Sequence, residues 1–98
     1  MDRNTRERAK RYHAAVAEIL LHEWDPLGVV DVPEADDEYD TYVNGVTSLL
    51  VRGASKEKLI AYLWTVETQN IGLDGDRPRI ESTVARLLEL RRDIDGGD

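Results

Sequence analysis

Ninety-eight residues, 41% apolar and 34% charged, suffice for one modest core; a chain of this size buries roughly 60–68% of its unfolded surface on folding. Zero cysteines exclude a disulfide scaffold and a cysteine-ligated zinc finger. The longest apolar run, Leu59-Ile60-Ala61-Tyr62-Leu63-Trp64, falls far short of the about 20 residues that span a bilayer.

The net charge of −7 arises from 20 acidic and 13 basic side chains that are unevenly spread. Residues 23–45 hold eight carboxylates (Glu23, Asp25, Asp31, Glu34, Asp36, Asp37, Glu38, Asp40) and neither Lys nor Arg. The remaining residues sum to +1, and Arg3, Arg6, Arg8, Lys10 and Arg11 make the amino end basic. Attraction between these two regions, within one chain or between the subunits of a homodimer, would relieve both. The opening Met1-Asp2-Arg3-Asn4-Thr5-Arg6 does not lead into a signal-peptide apolar region, and the expected location is cytoplasmic.

The first apolar stripe is Tyr12, Val16, Ile19, Leu20 and Trp24, at helical spacing, which predicts a helix over about 5–24. Pro26 pushes Asp25 out of the α region and ends it. An apolar connection over 27–33 follows. The second stripe, Tyr39, Tyr42, Val43, Val46, Leu49 and Leu50, has Glu34, Asp36, Asp37 and Glu38 near its amino end, where the helix dipole favours negative charge. Gly53 is its stop and Ser55 the cap of a third helix, whose face is Leu59, Ile60, Leu63, Trp64, Val66 and Ile71. Gly72 ends that helix with Leu73 placed to fold back. After an Asp74-Gly75-Asp76 turn, Pro78 suits the first turn of a fourth helix, with Ile80, Val84, Leu87 and Leu88 as its buried face and a fraying end at Asp95-Gly96-Gly97-Asp98. The expectation is an all-α protein, a small antiparallel bundle of about four helices in a single domain over 1–98.

Glu23-Trp24-Asp25-Pro26-Leu27-Gly28-Val29, then Asp37-Glu38-Tyr39-Asp40-Thr41-Tyr42, and later Gly53-Ala54-Ser55, Tyr62-Leu63, Glu67 and Ile71-Gly72-Leu73 form an ordered signature over about 16–73. In it the chain resembles the small bacterial proteins grouped as domain of unknown function 1871. The resemblance implies a small all-helical fold and no activity.

Two chemistries compete for the residues around the Trp-Asp-Pro turn. Glu18, His22 and Asp25 share a helical face, and with Asp37 or Glu38 and Glu67 they would make a carboxylate–histidine metal site in a bundle. In the simpler reading, Asp25 hydrogen-bonds the turn's backbone N–H groups, and Glu67, at the edge of an apolar stripe, is satisfied by Arg52, His22 or a Tyr hydroxyl. Asp36, Glu38 and Asp40 alternate like a calcium loop, but Thr41 and Thr47 stand where Gly and the bidentate Glu belong. No Cys and no Gly-x-Ser-x-Gly elbow offers a nucleophile. Arg77, Arg79, Arg86, Arg91 and Arg92 crowd the fourth helix, but Glu81, Glu89 and Asp93 interleave, which fits a salt-bridged face rather than nucleic-acid binding.

The expected function is a non-enzymatic protein-binding module with no cofactor and neither membrane nor nucleic acid as partner. Its acidic 31–40 segment would engage a basic protein through Asp36, Asp37, Glu38 and Asp40, with Tyr39 or Tyr42 as anchor. A toxin-neutralising immunity protein is one form this takes, since acidic surfaces block basic nucleic-acid-cleaving toxins. The rival is a metal-dependent enzyme built on His22, Asp25 and Glu67.

Overall fold

Helix formation follows the apolar stripes. The computed structural model describes residues 3–25, 28 and 39–96, with side chains from residue 7 onward. Among them stand four helices and no strand: α1 (Arg3–Ile19), α2 (Asp40–Val51), α3 (Lys56–Thr65) and α4 (Arg77–Asp95). α1 and α3 each run on into a wider π turn, Leu20–Trp24 and Val66–Asn70. The expected connection over 27–33 and Asp36, Asp37 and Glu38 lie outside the described residues. No helix among the described residues is long and apolar enough to cross a membrane.

One core joins the helices. α1 packs against α2 and α4, and α3 against α4. Tyr12, Val16, Leu20, Val46, Leu50, Leu59, Leu63, Ile80, Val84 and Leu87 are sealed from solvent. Ser55 caps α3 by accepting the Lys58 N–H at 3.2 Å, as expected of a Ser before an apolar run. Asp76, read from the sequence only as part of a turn, caps α4 by accepting the Arg79 N–H at 3.1 Å. At the end of the second π turn, Gly72 takes φ +86°, and the Leu73 N–H reaches back to the Glu67 carbonyl at 3.0 Å. That bond spans one residue more than the six-to-one bond of a Schellman stop, in keeping with the wider π turn it closes. The Leu73 side chain does not fold back; it is 41% exposed.

Cations from one helix close the carbonyl ends of others. The last carbonyls of a helix lack intrahelical partners and carry the negative end of its dipole. Arg91 of α4 donates through Nη1 to the carbonyls of Ala54 (2.9 Å) and Leu50 (3.5 Å), just past and within the last turn of α2. Arg79 donates to the Trp24 carbonyl at 3.2 Å, at the end of the first π turn. Arg77 and Arg86 pair along α4 with Glu81 and Glu89.

One expectation about the chain ends needs correction. Asp95 does not fray: it is the last residue of α4, and its carboxylate receives Arg8 Nε at 2.7 Å, Arg8 Nη2 at 3.2 Å and the Tyr12 hydroxyl at 2.7 Å. The forked geometry of guanidinium on carboxylate favours this pairing. Arg8 of the basic amino end thus pairs with the last residue of α4.

The Asp95 cluster makes stability pH-dependent in two directions. Its hydrogen bonds from Arg8 and Tyr12 hold the Asp95 carboxyl below its ordinary value of 3.8. This contribution is complete above that value and is lost as pH falls through the lower folded one. Burial, and secondly the bond to Asp95, pushes the Tyr12 hydroxyl up to about 12 from an ordinary 10.0. The fold favours the neutral phenol, so stability is whole below pH 10 and falls as pH rises toward about 12. Urea unfolding of Tyr12→Phe should show a loss of about 1 kcal/mol at neutral pH, together with a flatter alkaline fall. The remaining slope comes from Tyr62, also raised by burial.

Candidate functional site

The motif residues of the sequence converge on Trp24. It ends the first π turn, where the Asp25 N–H bonds the Leu20 carbonyl five residues back at 2.9 Å and Asp25 itself takes a left-handed φ of +30°. The wide turn sets the indole inward at 1% exposure. Its Nε1–H donates to Glu67 Oε1 at 2.9 Å, and Glu67, in the second π turn, is only 2% exposed. The ring lies 5.4 Å from that of Tyr39, tilted by 45°, and 6.2 Å from that of Tyr42, edge-on at 87°. Both separations fall in the favourable range for aromatic pairs. Tyr39 turns its hydroxyl to Asp25 Oδ1 at 2.9 Å. π turns recur at functional sites, and here two of them face each other across one hydrogen bond.

The cluster is closed. Asp25 accepts from the Tyr39 hydroxyl, which supplies a partner from α2's amino end rather than from the turn alone. Glu67 is satisfied by an indole, not by Arg52, His22 or a tyrosine. His22 sits outside on an exposed face, with Nε2 3.3 Å from Glu18 one turn earlier. The residues nominated for a metal are therefore divided between surface and core, and among the described residues no three His, Asp or Glu side chains are grouped to hold an ion.

The partner-binding residues are divided too. Asp40 is exposed as the first residue of α2, and Asp36, Asp37 and Glu38 lie outside the described residues. Tyr39 is 4% exposed and held by Trp24 and Asp25, so it is a core residue and not an anchor. Tyr42 is half-buried against the Trp24 edge. Beside it, Gly45 leaves room for the Tyr62 ring; a Cβ there would collide with the Tyr62 hydroxyl.

Trp64 lies on the opposite side of α3 from the one its residue type suggests. Expected on the buried face of α3, it is 38% exposed and lines a groove of about 440 Å³ between α3 and α4. Angular placement holds the signal that would have found it. At 3.6 residues per turn, Leu59 and Glu67 flank Leu63 at about 40° on either side, while Trp64 stands about 100° away. A second cleft, of about 390 Å³, lies between α1 and α2 where His13 meets Asn44 at 3.1 Å, with the buried Thr47 hydroxyl left unpartnered beneath it. No family model matches the chain, and no curated protein or solved structure matches it either.

The indole–carboxylate bond carries a measurable share of stability. Trp24→Phe keeps the ring packing but leaves Glu67 buried without its donor, and should cost about 1–3 kcal/mol. Trp24→Ala should cost about 3–5 kcal/mol, adding the loss of the aromatic volume. Glu67→Gln should cost less than Trp24→Phe, because the amide oxygen still accepts. Denaturant midpoints of the three variants check this order.

Proposed function

We propose that this protein is a non-enzymatic, cytoplasmic protein-binding module that engages a basic protein through its acidic 31–40 segment, part of the acidic stretch over 23–45. One observation carries the reading. Eight carboxylates stand in that stretch without a Lys or Arg, while Arg8, Arg77, Arg79 and Arg86 make their ion pairs with Asp95, Glu81, Asp76 and Glu89, all outside it. Charge concentrated in this way steers a partner of opposite sign and sets orientation on docking. Asp40 is exposed at the start of α2, and Asp36, Asp37 and Glu38 precede it in the sequence. Tyr39, next to Asp40, packs on Trp24. The immunity-type role, neutralising a basic toxin, and membership of the domain of unknown function 1871 group belong to the same proposal.

The test uses affinity capture from the source cells, comparing the parent with a variant carrying Asp36→Asn, Asp37→Asn, Glu38→Gln and Asp40→Asn. The parent should retain a basic protein that dissociates as salt rises, and the variant should bind it at least about ten-fold more weakly. Equal retention of the same partner by both proteins would contradict the proposal.

A further inference from the structure

An exposed tryptophan is ordinarily free to sample rotamers, but Trp64 is held. Gly75 takes φ +94° in the turn before α4, and a Cβ there would lie 2.6 Å from Cη2 and Cζ3 of the indole. Only glycine both adopts that conformation readily and leaves the ring its place. The same Cβ would lie 3.1 Å from the Thr68 methyl, and the Thr68 hydroxyl donates to the Trp64 carbonyl at 2.7 Å. The indole is thereby fixed against the turn while 38% of the residue remains open along the α3–α4 groove. A large aromatic already fixed in place loses little freedom when a partner covers it, and tryptophan is among the residues most enriched at binding hot spots.

The rim of the groove identifies the partner. Among the described residues, Lys56 and Glu57 stand on α3, and Arg77 and Glu81 on α4, so the described rim sums to zero on a chain of net −7. A strongly charged partner gains nothing from such a rim. A two-fold contact between identical subunits, by contrast, requires a patch complementary to itself, with both charge signs on the same surface. The neutral rim is also where two copies of an acidic chain approach at least electrostatic cost. We propose that the Trp64 groove is the contact face for a second copy of this chain, forming a two-fold dimer in which each Trp64 is covered by its partner. The proposal uses none of the acidic residues over 31–40, so its failure would leave the proposed function standing.

Sedimentation velocity over roughly 1–500 µM, the range of weak association constants, tests it. The parent should pass from monomer to dimer within that range. Trp64→Ala, which removes an exposed side chain and should leave the circular dichroism unchanged, should weaken association by at least about ten-fold. A copy carrying Lys56→Glu and Arg77→Glu should be monomeric, as should one carrying Glu57→Lys and Glu81→Lys, while an equimolar mixture of the two should associate. A parent that stays monomeric throughout, a Trp64→Ala protein that dimerises as tightly as the parent, or a mixture that fails to associate would each overturn the proposal.

Discussion

The hydrogen bond from the Trp24 indole to the buried Glu67 carboxyl is the constraint on which the rest of the bundle depends. A polar group taken out of water without a partner costs on the order of 1–3 kcal/mol, so neither side chain can be placed independently of the other. Meeting that demand fixes how the π turn after α1 faces the π turn after α3. Trp24 then spends its remaining surfaces on the other two helices. Its ring packs on Tyr39 and Tyr42 at the start of α2, and its carbonyl receives Arg79 from α4. One residue thus joins all four helices through its N–H, its ring and its backbone.

Charge is divided between two tasks in the same economical manner. Arg79 and Arg91 of α4 cross to the carbonyl ends of neighbouring segments, and Arg8 of α1 locks the end of α4 through Asp95. These cations hold helix termini, where partial negative charge gathers. The Arg8 and Arg91 pairings lie outside 23–45, which holds eight carboxylates and neither Lys nor Arg. On the proposed function, the charge of the 31–40 segment serves recognition.

Much of this was legible in the sequence. Helical spacing located the four helices, and Ser55, Gly72 and Pro78 announced their ends by known backbone preferences. The signature residues Trp24, Asp25, Tyr39, Tyr42 and Glu67 were singled out, but which of them touch was not legible, since contact between residues 43 apart is set by packing and not by local pattern. Glu67 and Trp64 stand where residue type alone would not put them: the carboxylate flanks Leu63 on the buried side, and the indole lies about 100° away. Nothing local foretold the two π turns, which widen the helices where tertiary packing draws Trp24 and Glu67 inward. Asp95 was missed because a terminal Asp-Gly-Gly run resembles a frayed end until Arg8 and Tyr12 are brought to it.

Hydrogen exchange at the two indole N–H groups tests the central claim most directly. If Trp24 joins the four helices, its Nε1–H should exchange only through global unfolding, with an opening free energy equal to that of the slowest core amides on α1 and α3. The Trp64 Nε1–H, on a ring exposed in the single chain, serves as the faster-exchanging reference at concentrations where the protein is monomeric. A Trp24 indole that exchanges through a local opening, well before the amides of Val16 and Leu63, would show that the bundle holds together without it and would contradict the account.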